Sequence, residues 1–366
     1  MKAISNTIPI TLLTGFLGAG KTTLLNRIMK DPAFANTLVI INEFGSVGLD
    51  HDLVAHSTED DTVVEMSSGC LCCTIKGDLQ KTLKDAPWRY VRGGKKWFER
   101  IIIETTGLAD PAPIIHTITA DKTLRDIYHL AEIITLVDCI NGSATLDAQP
   151  EAQKQVAVAD TLLLSKTDIA DDGTRSALAE RVKLLNPSAT ITSVAEQRHD
   201  PLALLGRGTF NPQLKGEEVL KWLNAEAHTE GHHHHHDHDG HHHDHAHDIN
   251  RHDDRISTVS LTFDEPLPAK VFDEWFGLLT QLNGVHMLRV KGILNMAELN
   301  APLVIHGVQH IWHPPTLLDE WPSPDRRSRI VFILRDMEES DVRTALSFAI
   351  ERFGSARLEG RTSSVA

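Results

Sequence analysis

Cysteine is scarce in this 366-residue chain, with four in all, and three of them fall within four positions as Cys70, Cys72 and Cys73. Neighbours that close cannot staple a large fold, so a disulfide-built secreted scaffold is excluded and metal or redox chemistry becomes the expectation. Positive charge is also short. Thirty-six Lys and Arg against 50 Asp and Glu give −14, a surface that repels phosphate backbones and argues against nucleic acid as a partner. Two small basic clusters, around Arg89–Arg100 and Arg326–Arg329, read as solvated loops. No apolar run reaches the ~18 residues of a membrane span. The apolar start at Ile8–Leu17 runs into Gly-Lys-Thr-Thr without a small-residue cleavage site, which sets it apart from a secretory signal. A cytoplasmic protein with no membrane partner is expected. Hydrophobic content of 41% and charged content of 23% are ordinary for a globular chain, and the length calls for two domains or three.

Histidine, by contrast, is abundant: 22 in total, with 11 in the sixteen residues His232–His247. Before that tract, short apolar runs alternate with amphipathic ones. Strands are expected at Ile8–Leu13, Leu38–Ile41, Thr62–Glu65, Ile101–Ile103, Ile133–Val137, Thr161–Leu164 and Ala189–Val194. Helical patterns fall between them, as at Lys21–Met29, Asp78–Lys84, Ala148–Val158 and Thr174–Leu185. Non-alternating Ile/Leu/Val strands linked by helices predict a mostly parallel sheet covered on both faces. From Ala225 to Asp254 the pattern dissolves into His, Asp and Gly, a composition that cannot bury a core and predicts a flexible linker. Its internal position and interleaved aspartates distinguish it from an affinity tag. From Ile256 a small α+β domain is expected, with strands at Met287–Leu294, Leu303–Val308 and Ile330–Leu334 and a last helix at Asp341–Phe353. Its Val271, Phe272, Trp275, Phe276, Leu279 and Leu282 stripe has core spacing. The expected organisation is therefore a nucleotide-binding α/β domain over 1–225, a His/Asp-rich linker over 226–254, the α+β domain over 255–354 and a tail over 355–366.

Gly15-Phe-Leu-Gly18-Ala19-Gly20-Lys21-Thr22 fits GxxxxGK[ST], with a strand before it and a helix after it. Glycines let successive backbone amides curl around phosphate oxygens and the helix N-terminus adds its dipole. Lys21 supplies a point charge between β- and γ-phosphates and the Thr22 hydroxyl is a magnesium ligand, with Thr23 next in the cradle. The run GxxGxG followed by lysine does not suit a dinucleotide fold. Arg100-Ile-Ile-Ile-Glu104-Thr-Thr-Gly107 is an apolar strand ending in a carboxylate suited to the magnesium shell, and the Gly107 amide is placed to sense a γ-phosphate. Ser165-Lys166-Thr-Asp168 is close to the NKxD guanine element. Asp168 accepts from the guanine N–H groups and the Lys166 stem covers the base, whereas adenine would leave that carboxylate unpaired. Ser165 stands where asparagine is usual.

Gly69-Cys70-Leu-Cys72-Cys73 lies between the third strand and the next helix. Three thiols there suit a soft or borderline cation. A Cys70–Cys73 redox pair and an inert cluster are the other readings. Zinc prefers four ligands, and Glu43, following the strand beside the phosphate loop, is the candidate fourth, with water or a tract histidine as substitutes. Asp50 is a candidate for positioning an attacking water.

GFLGAGKTT, NEFG, GCLCC, ETTGLADP and SKTD, in that order, resemble the CobW-type metallochaperone GTPases, over essentially the whole chain. The resemblance implies a P-loop GTPase domain followed by a CobW-type C-terminal domain. It implies slow GTP hydrolysis coupled to delivery of a metal, commonly zinc, to a client metalloprotein. It places phosphates and magnesium at Gly15–Thr23, the transported metal at Cys70, Cys72 and Cys73, and guanine at Ser165–Asp168. Many members continue NEFG with glutamate. Ser46 stands there in this chain, so that position offers no carboxylate. The metal motif and the phosphate loop are expected at the carboxyl ends of neighbouring parallel strands. The histidine tract is expected to collect metal. Competing readings are the same machinery serving cobalt insertion in cobalamin synthesis or nitrile hydratase maturation, and a non-enzymatic zinc buffer.

Overall fold

The computed structural model describes residues 7–42, 57–58, 61–65, 71–75, 78–92, 94–195, 256–284, 286–309, 311–312 and 315–353, with the backbone course only at 42, 57–58, 61–65, 71–75, 92, 95–96 and 282–283. The expected linker and tail, and with them the domain boundary, lie outside these residues. The chain divides into two compact units.

In the first unit the strands are β1 (Ile8–Gly15), β2 (Thr37–Asn42), β3 (Ser57–Thr58), β4 (Asp61–Glu65), β5 (Leu71–Ile75), β6 (Val91–Arg92), β7 (Lys95–Lys96), β8 (Arg100–Thr105), β9 (Tyr128–Asp138), β10 (Thr161–Ser165) and β11 (Thr190–Ser193). The helices are α1 (Lys21–Lys30), α2 (Leu79–Arg89), α3 (Ala112–Ala120), α4 (Lys122–Ile127), α5 (Gly142–Ala148), α6 (Pro150–Val158) and α7 (Asp172–Leu185). Nine strands form one sheet in the order β11-β10-β9-β1-β8-β2-β5-β4-β3. Every pairing from β11 to β5 is parallel, whereas β5–β4 and β4–β3 are antiparallel.

Side chains alternate between the two faces of each strand, and both faces are covered. On β10, Leu163 joins the cluster beneath α1 with Leu24, Leu25, Ile28, Val39, Ile102 and Leu136, while Leu162 and Leu164 pack with Val156, Leu178 and Val182 of α6 and α7. The expected helix at Ala148–Val158 is α6, which begins two residues later than expected, while Ala148 closes the preceding α5. Gln149 is extended and Pro150 begins α6, because proline cannot continue a preceding helix but suits a first turn. The Arg89–Arg100 cluster is not one solvated loop: it spans the end of α2, the β6–β7 hairpin and the start of β8.

A second correction concerns the thiol motif. CLCC was expected as a connection after a strand, yet residues Leu71–Ile75 are themselves a strand, hydrogen-bonded to β2 on one side and β4 on the other. The stretch is short and apolar apart from Thr74, which suits a pleated ladder as well as it suits a loop.

The second unit is an antiparallel sheet in which Ile256–Phe263, Ser328–Arg335, Met287–Leu294 and Leu303–Val308 lie side by side. Helices Ala269–Asn283 and Glu339–Phe353 belong to the same unit. Trp275 is fully buried, its indole N–H donates to Val342 O at 3.1 Å, and Phe272 and Phe332 lie edge-on to it, so the aromatic stripe is core as expected. Arg329 corrects the other basic cluster. It sits in a strand, half-buried, and burial holds its guanidinium below the usual value despite Asp325 nearby. Among the described residues no helix is long and apolar enough to cross a membrane.

Candidate nucleotide and metal site

The phosphate loop leaves β1 at Gly15, whose φ of 136° and position against β9 admit no side chain: a Cβ there would stand 2.5 Å from Leu136 O. Gly20, with φ 94°, is the N-cap of α1 and provides no side-chain cap, nor is any first-turn residue acidic. The helices α2, α4 and α7 are capped by Asp78, Asp121 and Asp171. α1 thus keeps its first-turn amides and positive dipole end for an anion. Lys21 is buried, and its Nζ donates to Gly15 O at 2.7 Å and Phe16 O at 3.2 Å, which draws the ammonium across the curl of the loop.

Glu104 and Gly107 arrive from β8. Leu13 of β1 lies opposite Glu104, and the Thr22 hydroxyl donates to Glu104 Oε1 at 3.3 Å. A buried carboxylate beside a hydroxyl at the start of α1 is a hard-oxygen pair of the kind magnesium selects. One turn further on, Gly107 abuts the phosphate loop so closely that a Cβ would meet Leu17 N at 2.6 Å. Behind both, Thr105 donates its hydroxyl to Thr14 at 2.8 Å.

The SKTD segment follows β10. Ser165 does not point outward for a base: its hydroxyl donates to Ala19 O at 2.7 Å, tying this segment to the phosphate loop. A serine engaged in that bond is too short also to reach a purine. Lys166 adopts φ 56° and its ammonium pairs with Asp138 Oδ2 at 2.7 Å, which fixes the direction of its stem. Asp168 is exposed beside it. Asp138 was not anticipated, although a strand ending in a carboxylate was the signal used for Glu104. Burial opposes its ionisation. Hydrogen bonds from Lys166, the Ile140 amide and Asn141 outweigh that and hold the carboxyl below its ordinary value.

Of the thiol site, Cys70 and the proposed Glu43, like Asp50 and His232–His247, lie outside the described residues. The backbone places Cys72 opposite Val39 and Cys73 opposite Ile40 of β2. The next β2 residue, Ile41, pairs with Thr74 on one side and Glu104 on the other. Cys72 and Cys73 therefore stand within β5, two and one residues below the level of Glu104. They are not beyond the carboxyl end, where they were expected, because Leu71–Ile75 is a strand. At ~4.8 Å per strand, β5 runs roughly 10 Å from β8. Among the described residues no three His, Cys, Asp or Glu side chains converge on a metal position. The fourth cysteine, Cys139, is buried, and burial, then the Asp138 carboxylate, push its thiol up, so it is a poor thiolate ligand.

Residues 9–193 match the nucleotide-binding domain model of CobW/HypB/UreG, and residues 256–349 match the cobalamin synthesis protein CobW C-terminal domain. The chain belongs to the CobW family of GTPases. It is 31% identical to the zinc chaperone YjiA of Escherichia coli K12 over 346 residues, 93% of this chain and 98% of that one. To the zinc chaperone CobW of a Sinorhizobium species it is 27% identical over 94% of this chain and 98% of the other. The crystal structure of Zn(II)-bound YjiA GTPase from E. coli superposes with a TM-score of 0.68 at 29% identity, covering 94% of this chain and 99% of that one. For this CobW-family chain the two expected folds, the P-loop α/β domain and the separate antiparallel C-terminal domain, are both observed.

Proposed function

We propose that this GTPase binds zinc through Cys70, Cys72 and Cys73 and releases it to a client metalloprotein in the cytoplasm, using GTP hydrolysis to change its grip. One observation carries the reading: the strand holding Cys72 and Cys73 is hydrogen-bonded to β2, which is hydrogen-bonded in turn to β8, the strand that ends in Glu104. Relatives named zinc chaperones support zinc as the cargo.

In hydrolysis, the amides of Gly18–Thr22 and the α1 dipole hold the phosphates, and Lys21 stabilises charge on the β–γ bridge as water displaces GDP from the γ-phosphorus. Thr22 and Glu104 would hold magnesium, which when bound neutralises phosphate charge. The Gly107 amide reports whether a γ-phosphate is present. Asp168 and the Lys166 stem, steadied by Asp138, select guanine, while Ser165 keeps that selection in register with the phosphate loop.

Cys70, Cys72 and Cys73 supply three thiolates, and Glu43 completes four ligands. A residue-level shift of β8 on loss of the γ-phosphate reaches β5 through one intervening strand, because ladder hydrogen bonds do not stretch independently. The tract His232–His247 supplies many neutral imidazoles and feeds the tighter thiolate site. Deleting it is expected to lower zinc bound per chain, measured by metal analysis after equilibration at limiting zinc, while GTP turnover stays near wild type. Unchanged stoichiometry would reduce the tract to a spacer. The C-terminal domain's family description favours one second reading, in which the same machinery serves cobalamin synthesis with cobalt as cargo. Competition between zinc and cobalt for the thiolates separates the two.

A further inference from the structure

Gln155 is buried in α6, and no motif marks it. Its side-chain amide donates to Gly107 O at 3.1 Å and to Ala109 O at 3.0 Å. Both partners are carbonyl oxygens, which only accept, so the NH2 end must face them and the orientation of the amide is fixed by chemistry. The Gln155 backbone carbonyl accepts from the Thr135 hydroxyl of β9 at 2.7 Å, anchoring this point of α6 to the central sheet. One residue earlier, Lys154 donates to Asp110 Oδ2 at 2.9 Å. α6 therefore grips the turn after β8 at residues 107, 109 and 110.

The opposite side of that turn is Gly107 against the Leu17 backbone. Beside it, a cavity of about 230 Å3 is bounded by Phe16–Ala19, β9, α5 and α6, with Gln155 on its wall. Gln155 thus stands between this open space and the turn, which it holds by directional hydrogen bonds. Among the described residues the Gln155 Oε1 has no hydrogen-bond partner while the donor end makes two bonds, which suits a clamp on carbonyls better than a core filler.

We infer that Gln155, assisted by Lys154, is a positioning residue that holds the Gly107 amide against the phosphate loop, where it distinguishes GTP from GDP. This rests on the γ-phosphate reading of Gly107. Removing the fork lets the turn relax away from Leu17 without touching the α1 amides that hold the α- and β-phosphates. The loss therefore falls on the triphosphate state.

The test uses the full chain and compares affinities for GDP and for a non-hydrolysable GTP analogue, together with kcat and the melting temperature. Gln155→Met keeps length and apolar volume but cannot donate. It is expected to weaken the analogue about 5- to 20-fold relative to GDP, within the usual range of coupling between sites, and to lower kcat with GDP affinity unchanged. Lys154→Ala, on a side chain about a quarter exposed, is expected to act in the same direction by a smaller factor and decides the matter if Gln155→Met does not fold. Equal weakening of both nucleotides, or of neither, overturns the inference. Gly107→Ala separates the two levels. If it leaves the analogue-to-GDP ratio unchanged, the reading of Gly107 itself fails. If it collapses the ratio while Gln155→Met and Lys154→Ala do not, only the role of Gln155 fails.

Discussion

Lys21→Ala is expected to lower GTP hydrolysis at saturating nucleotide by about 10²- to 10³-fold, the usual cost of deleting one preorganised donor at a developing charge. The ammonium lies across the phosphate loop, bonded to Gly15 O and Phe16 O, and the Thr22 hydroxyl is turned toward Glu104. The amides of the loop survive the substitution, so nucleotide still binds, but charge accumulating between the β- and γ-phosphates loses its counter-ion. Two loop carbonyls also lose a donor, at about 1 kcal/mol each, which a melting curve registers separately from the rate. Single-turnover hydrolysis of radiolabelled GTP measures the effect. A wild-type chain with no turnover to lose would match the non-enzymatic buffer instead.

Asp168→Asn is expected to exchange base preference, weakening GTP by about 10²-fold or more and strengthening xanthosine triphosphate. Guanine presents two N–H donors to the carboxylate. Asparagine offers one acceptor and one donor, so the exocyclic amine of guanine meets an amine, whereas the carbonyl that xanthine carries there meets a donor. Ser165 bears on this result. Its hydroxyl is engaged with Ala19 O, so the proposed function leaves base selection to Asp168 and to the Lys166 stem, whose ammonium is paired with Asp138. An Asp168→Asn protein with unchanged GTP affinity and no gain for xanthosine triphosphate would move guanine recognition elsewhere.

Much of this was legible in order along the chain, for reasons that differ by element. The strands at Ile8, Leu38, Ile101 and Thr161 are short Ile/Leu/Val runs because they are covered on both faces, and their ends carry Gly15, Glu104 and Ser165 at fixed offsets. The helix Ala112–Ala120 escaped because Ile114, Ile115, Thr117, Ile118 and Thr119 are β-branched and Pro113 interrupts the pattern, although Pro113 sits in the first turn where it is tolerated. The strand Leu71–Ile75 escaped because the thiols of Cys72 and Cys73 carry a chemical signal stronger than their pleat. Asp138 and Gln155 act through partners 28 and 48 positions away in sequence, and no local period encodes such contacts.

The central claim is that the thiolates on β5 and the phosphate cradle on β1 and β8 form one mechanical unit. Titrating a non-hydrolysable GTP analogue into the metal-free chain and into the zinc-loaded chain tests it most directly. The account predicts affinities differing by about 5-fold or more, with zinc affinity shifted by the same factor when the analogue is bound, since the coupling is reciprocal. Identical analogue affinities with and without zinc would contradict it.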